Sequence, residues 1–214
     1  MTMAPRGCAE LLMEARMLDP HWVFVGAALG LAGSIRYAFA IAREGARPNL
    51  VTWLLWAGAP LIGFFAQLDS GVGLPAAMTL AAGLGPLIVI VTAAIARRHD
   101  MRLGTLDLTC AAIAIAALGV WIGLEEAPLA VLFAVAADAV AALPTIVKAW
   151  QRPDSENALF YVLVAIGATI TLMTIRSWEP QAWAFAAYQL TVCALLSATI
   201  AIRRRGNQEL MHSA

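Results

Sequence analysis

The chain has 214 residues, of which 61% are hydrophobic and 13% are charged, and its mean hydropathy is +0.77. Soluble globular domains are about 45–50% apolar and about 25% charged, so this composition excludes an ordinary soluble domain and favours a protein embedded in lipid. The formal net charge is +0, which gives no electrostatic basis for a nucleic-acid partner.

The first segment, residues 1–20, lacks the uninterrupted apolar core and the small-residue cleavage site of a secretory signal. It also carries Glu10, Glu14 and Arg16. We expect it to lie outside the cytoplasm, and one interpretation is a short helix resting on the membrane surface.

Seven apolar stretches follow, each bounded by charged residues or by proline and glycine. Each is long enough to cross a hydrocarbon layer of about 30 Å as a helix. The ten-residue alternation of a membrane β-barrel is absent. An all-α integral membrane protein with seven transmembrane helices is therefore predicted. The predicted spans are residues 22–42, 50–68, 74–96, 103–124, 128–150, 158–175 and 181–202.

The basic residues predict the orientation. Ten of the fourteen Lys and Arg residues follow the first, third, fifth and seventh spans. Because basic loops stay on the cytoplasmic side, we expect the N-terminus outside and the C-terminus in the cytoplasm. The expected location is a bacterial inner membrane. These ten residues are Arg43, Arg47, Arg97, Arg98, Arg102, Lys148, Arg152, Arg203, Arg204 and Arg205.

The sequence also indicates an internal repeat. A shift of 105 positions aligns Arg43 with Lys148, Trp56 with Tyr161 and a basic-Pro-polar turn with its counterpart. It also aligns the basic ends at Arg98 and Arg203. A single helix between two triplets gives both triplets the same orientation, a 3+1+3 plan of parallel repeats. The predicted divisions are residues 21–99 and 126–205 for the two triple-helix bundles, 100–125 for the linker helix and 206–214 for a cytoplasmic tail.

This plan resembles the SWEET and PQ-loop superfamily, including the PnuC-type transporters. Residues 143–161, LPTIVKAWQRPDSENALFY, look like a degenerate PQ-loop, with Thr145 in place of the glutamine that gives the motif its name. Residues 45–56, GARPNLVTWLLW, look like the corresponding turn of the first repeat. The resemblance implies a substrate held between two bundles that rock around it.

Asp138 and Arg36 are charged residues inside predicted spans. Asp138 lies about ten residues from Lys148, hence about 15 Å from the cytoplasmic end. Placing a lone carboxylate at that depth in a membrane costs at least ~2.5–3.5 kcal/mol, so the group must be protonated, paired or facing water. A carboxyl group that takes up and releases a proton there would suit proton-coupled transport. Arg36 is the candidate partner by repeat register, and the alternative is that it extends toward the cytoplasmic interface.

Aromatic and amide side chains complete the candidate substrate site. Trp53 and Trp56 share one helix face at i, i+3, and Tyr161 stands at the position of Trp56 in the second repeat. Such rings would stack on a ring-bearing or cationic ligand. The alternatives are ordinary packing and, for the polar groups, bonds between helices. The remaining candidates are Asn49, Tyr188 and Gln189.

Three prolines lie in the interior of predicted spans, away from their first residues: Pro60, Pro86 and Pro144. Proline removes a backbone hydrogen bond from a helix and often bends it. We therefore expect these positions to act as hinges.

The leading hypothesis is a transporter of a small polar metabolite, and the alternative is a non-transporting receptor or assembly factor on the same fold. No motif of an enzyme, a metal site or a cofactor site is present, so none of these is expected. The expected partners are a small-molecule substrate and membrane lipids, with homo-oligomerisation left open.

Overall fold

The computed structural model describes residues 17–45, 48, 50–99, 104–124 and 126–212. Within these residues every regular element is helical. Two short 3-10 helices, Pro20–Trp22 and Pro153–Ser155, precede α1 and α6, and a π-helical turn, Ala40–Glu44, continues α1. The α-helices are α1 (Val23–Phe39), α2 (Leu50–Asp69), α3 (Ala76–Ile95), α4 (Thr105–Leu124), α5 (Ala127–Gln151), α6 (Ala158–Thr174) and α7 (Pro180–His212).

The expected all-helical architecture is confirmed for the described residues. Five helical segments there are long and apolar enough to cross a membrane, and Ala158–Thr174 is a shorter apolar helix. The chain is thus compatible with a multi-pass membrane protein. The five segments are Pro20–Glu44, Leu50–Asp69, Ala76–Ile95, Ala127–Gln151 and Pro180–Asn207.

Helix α7 is longer than the apolar span predicted within it. The predicted span ends at residue 202, and the helix continues to His212. Arginine is a good helix former, so three arginines can end an apolar span without ending its helix. The predicted interfacial helix of residues 1–20 falls almost entirely outside the described residues, which begin at Met17.

Large apolar side chains lie on the outside of the helices, and small ones lie between them. Ile95, Ile122 and Ile202 are 80%, 74% and 66% exposed, and alanines make up most of the buried apolar residues. Small residues let helix backbones approach closely, which is how helices associate where lipid removes most of the hydrophobic driving force.

The helices pack in two matching sets. Helix α3 packs against α1 and α2, and helix α7 packs against α5 and α6. The sets meet mainly along two contacts, α1 with α6 and α2 with α5. Helix α4 lies outside them and packs mainly on α5.

Two arginines tie helix ends together on one side of the molecule. Just beyond α3, the Arg98 side chain donates to the carbonyls of Ile41 at 2.8 Å and Ala42 at 3.2 Å. In α7, the Arg203 side chain donates to the carbonyl of Trp150 at 3.0 Å and lies 4.9 Å from the centre of that indole ring. Each arginine satisfies carbonyls that the end of a helix leaves unpaired.

The α1–α6 contact depends on a pair of glycines. A Cβ atom on Gly26 would lie 2.6 Å from the carbonyl oxygen of Gly167, and one on Gly167 would lie 2.4 Å from the oxygen of Gly26. These neighbours are backbone atoms, which cannot rotate away from an added methyl group as the end of a side chain can. Seven residues further along α1, a Cβ on Gly33 would meet the ring of Phe160, so the two helices run antiparallel.

We expect Gly26→Ala to lower the stability of the protein by about 1–3 kcal/mol, the usual cost of overpacking a tight contact. The measurement is the thermal unfolding midpoint in detergent. Gly58→Ala is the matched control, because nothing lies within 4 Å of a Cβ built there. Equal midpoints for the two variants would contradict the tight contact.

Candidate functional site

A cavity of about 60 Å³ lies between the two sets of helices. Residues from α1, α2, α3, α5, α6 and α7 line it. The volume is enough for a few water molecules, since one water needs about 10–15 Å³ by the same measure. The polar and aromatic lining residues are Ser34, Trp53, Trp56, Asp138, Phe160, Tyr161, Tyr188, Gln189 and Cys193.

Asp138 is the only charged side chain among the cavity-lining residues of the described chain. It is 5% exposed, and Tyr188 from α7 lines the same cavity. No ion pair within the described residues includes it. A buried carboxylate thus faces a small cavity without an ionic partner among the described residues.

The predicted pairing of Asp138 with Arg36 is wrong. The guanidinium of Arg36 lies 2.9 Å from the carboxylate of Glu44, and both side chains are at least 40% exposed. Arg36 extends toward the end of its helix, as in the alternative interpretation, because a local carboxylate is within reach there.

Two pairs of aromatic rings line the cavity. Trp53 and Trp56 of α2 meet edge to face with ring centres 5.4 Å apart. Phe160 and Tyr161 of α6 do the same at 5.1 Å. The indole N–H of Trp56 is buried and has no hydrogen-bond acceptor within the described chain. The cavity therefore receives one aromatic pair from each set of helices.

The structure places the other predicted site residues as follows. Gln189 lines the cavity one residue beyond Tyr188, and its amide oxygen accepts a long contact of 3.8 Å from the Cys193 thiol. Asn49 lies outside the described residues. The predicted residues that meet at the cavity are Asp138, Trp53, Trp56, Tyr161, Tyr188 and Gln189, and Arg36 is not among them.

The three prolines lie inside α-helices that continue through them. Pro60 is buried in α2, and Pro86 of α3 lines the cavity. Pro144 lies within α5. Each removes one backbone donor, so each helix has one turn with a missing hydrogen bond at these positions.

Sequence reasoning missed Glu156, which is 8% exposed. One of its carboxylate oxygens lies 2.9 Å from the ammonium of Lys148, and the other accepts a 2.8 Å hydrogen bond from the hydroxyl of Tyr161. We call Lys148, Glu156 and Tyr161 the Glu156 bridge. The Arg204 side chain donates to the Glu156 carbonyl at 2.9 Å and so holds the same loop.

The Glu156 bridge separates the cavity from an open vestibule of about 640 Å³, which we call the Lys148 vestibule. Tyr161 lines the cavity, and its two bridge partners line the vestibule. A second vestibule of about 330 Å³ lies at the opposite helix ends, and Arg176 and Glu179 line it. The charged residues of the Lys148 vestibule are Arg36, Glu44, Lys148, Asp154, Glu156 and Arg204.

The chain matches no protein-family model, no curated protein and no solved structure with which it was compared.

Proposed function

We propose that the protein is a multi-pass membrane transporter that moves a small polar metabolite through the cavity between two triple-helix bundles. The observation that carries the proposal is the buried Asp138 carboxyl group in a cavity lined by six helices and by an aromatic pair from each set. A lone carboxylate in a membrane interior is costly, and such residues usually lie on a solute or ion path.

The 3+1+3 repeat is part of the proposal, and the packing pattern supports it. Exchanging α1, α2 and α3 with α5, α6 and α7 leaves the main contacts unchanged, since α3 and α7 each pack on both other helices of their set. The two main contacts between the sets, α1–α6 and α2–α5, also exchange. Arg98 and Arg203, which the 105-residue shift aligns, each bind carbonyls near the end of the first helix of their own set.

The glycine contacts between the two sets of helices also support the 3+1+3 repeat. Gly26 of α1 meets Gly167 of α6, and Gly63 of α2 meets Ala134 of α5. A shift of 105 places carries the first contact to positions 131 and 62, within three residues of the second. A repeat related by an axis along the membrane normal produces two such equivalent contacts.

For orientation, we propose that the Lys148 vestibule faces the cytoplasm of a bacterial cell, because the basic residues cluster on that side. The N-terminus then lies outside. This arrangement fits the resemblance to the SWEET and PQ-loop superfamily, which remains part of the proposal.

In this proposal the structure corresponds to a closed state. The cavity has room for only a few waters, and the Glu156 bridge joins Lys148 and the start of α6 across its cytoplasmic side. Release of Tyr161 from Glu156 would let the cavity open to the Lys148 vestibule. The proline positions in α2, α3 and α5 would absorb the bending.

The alternative function is a receptor or assembly factor that does not transport. One observation favours it: Arg36 is paired with Glu44 instead of lining the cavity. Solvent access to the cavity distinguishes the two functions, since a transporter must open it to at least one side.

The test is cysteine labelling at neighbouring positions of α5 in a variant without native cysteines. Ala142 lines the cavity, whereas Ala141 is 2% exposed and packs in a cluster with Cys110 and Ala59. In liposomes we expect a membrane-impermeant thiol reagent to modify Ala142→Cys and to leave Ala141→Cys unmodified. Equal inertness of both variants from both sides would exclude transport through this cavity.

A further inference from the structure

We propose that the C-terminal ends of α1 and α3 together bind the phosphate group of an anionic phospholipid. Three residues form this site, Phe39, Arg43 and Arg97, and we call them the α1–α3 site. None of them lines the cavity or either vestibule. The site is therefore separate from the proposed solute path, and the proposal does not depend on transport.

One side-chain contact brings the two arginines into the same patch of surface. The Arg98 guanidinium donates to the carbonyl of Ala42 at 3.2 Å, which joins the end of α3 to the end of α1. Arg43 follows Ala42 in the chain, and Arg97 precedes Arg98. Each arginine of the α1–α3 site is thus the direct neighbour of a residue in this contact.

Both arginines of the α1–α3 site are available to an anion. Arg43 and Arg97 are exposed, and among the described residues neither side chain forms an ion pair or a hydrogen bond. The acidic residue next to Arg43 is Glu44, which pairs with Arg36 instead. The site therefore holds two positive charges without a counter-ion in the described chain, and guanidinium groups fit the paired oxygens of a phosphate.

The Phe39 ring orients one of these charges. The guanidinium carbon of Arg43 lies 5.8 Å from the centre of the ring, within the range of a cation–π contact. Phe39 is 51% exposed, so the pair lies at the surface of the helices. Because the ring contacts the guanidinium without accepting a hydrogen bond from it, the N–H donors of Arg43 stay free for phosphate oxygens.

The backbone of Arg97 independently indicates a role for its side chain. The Arg97 amide donates to the Ala94 carbonyl at 3.2 Å, and the next amide donates to the Ala93 carbonyl at 3.0 Å. This Schellman motif puts Arg97 at a φ of 51°, and no other non-glycine residue of the described chain has a positive φ. Glycine adopts that conformation without the steric cost that arginine incurs. Arginine at a position that suits glycine points to a function of the side chain.

Exposed apolar residues favour a lipid over a soluble phosphate. Ile35 and Phe39 of α1 are 59% and 51% exposed, and Val91 and Ile95 of α3 are 55% and 80% exposed. Residues four apart share a helix face, so each pair forms an apolar stripe that runs toward one arginine of the site. Acyl chains would lie along the stripes while the phosphate meets the arginines.

The test compares three additives to the detergent-purified full-length protein: dioleoylphosphatidylglycerol, which is anionic, dioleoylphosphatidylcholine, which is zwitterionic, and inorganic phosphate. Binding is followed by the unfolding midpoint and by native mass spectrometry. We expect phosphatidylglycerol to bind at least about tenfold more tightly than phosphatidylcholine, since each basic residue near a membrane surface contributes about fivefold. Equal binding of the two lipids, or an equal shift with inorganic phosphate, would overturn the proposal.

Variants locate the binding on the surface. Arg43→Ala and Arg97→Gly should each weaken phosphatidylglycerol binding by about fivefold. Arg205→Ala is the matched control, because Arg205 is also exposed, forms no ion pair among the described residues and lies over no ring there. It should bind the lipid nearly as well as the native protein. Equal losses in all three variants would indicate general attraction to basic residues and would reject the α1–α3 site.

Arg97→Gly also separates a role in binding from a role in folding. Without added lipid its unfolding midpoint should be at least as high as that of the native protein, because glycine removes the strain at the positive φ. The rise on adding phosphatidylglycerol should be smaller than in the native protein. A lower midpoint without lipid would show that the side chain serves the fold, and an undiminished rise with lipid would remove Arg97 from the site.

Discussion

Tyr161→Phe should make the cavity open to the Lys148 vestibule far more often than it does in the native protein. The substitution removes the 2.8 Å hydrogen bond from the Tyr161 hydroxyl to the Glu156 carboxylate and keeps the ring. Hydrogen bonds to charged groups contribute about 1.5–3 kcal/mol, which corresponds to about a 10–100-fold change in the closed–open equilibrium. We expect the rate of labelling at Ala142→Cys from the side of the Lys148 vestibule to rise by a comparable factor.

Tyr37→Phe is the matched control. Tyr37 lines the same vestibule and packs on Trp53 with ring centres 4.9 Å apart, but its hydroxyl makes no hydrogen bond within the described residues. Its loss should leave the labelling rate close to that of the native protein. An equal increase in both variants, or no increase in Tyr161→Phe, would show that the Glu156 bridge does not hold the cavity closed.

Trp53→Ala should cause the largest loss of stability among substitutions in the cavity wall. Trp53 is 7% exposed and packs in a cluster with Ile41, Val89 and Ala93. Truncating a buried tryptophan usually costs about 3–5 kcal/mol, and the lower end applies here because the unfolded helix stays in an apolar solvent. Thermal unfolding in detergent should show a marked fall in the midpoint.

Trp178→Ala provides the comparison. Trp178 is 60% exposed and follows α6. Its hydrogen bond from Trp183 uses the backbone carbonyl, which the substitution keeps. The midpoint should therefore change little. Similar losses in the two variants would mean that Trp53 is not a packed wall residue.

The helices were predictable because long apolar runs leave the backbone no other way to satisfy its hydrogen bonds in lipid. The residues that meet at the cavity were also largely predictable. Asp138 is the only carboxylate deep within a predicted span, and the repeat register related Trp56 to Tyr161 across the two sets. Both signals depend on positions along the helices, which a sequence contains.

The partner of Arg36 was not predictable, because it depends on a local change of helix type. In a continuous α-helix, Glu44 would lie about 80° around the axis from Arg36. The π-helical turn at Ala40–Glu44 is wider and rotates less per residue than an α-helix, which brings the two side chains closer to one line along the helix. Nothing in the spacing of apolar residues signals such a turn.

Glu156 was missed for a different reason. Its two partners, Lys148 and Tyr161, lie on either side of a turn that contains a short 3-10 helix. The contact depends on how that turn folds back between α5 and α6. A charged residue in a polar loop ordinarily faces water, so neither its burial nor its bridging role has a signature in the sequence.

Helix α7 is long enough that a small rotation at Arg204 would move its C-terminal end by a larger distance. From Arg203 to His212 the helix extends about 14 Å beyond the basic end of its apolar run, at 1.5 Å per residue. Arg204, at the start of that extension, donates hydrogen bonds to the Pro153 and Glu156 carbonyls. A shift of the loop between α5 and α6 would therefore tilt this extension, and a fluorophore near its C-terminal end would report the movement without any label in the cavity.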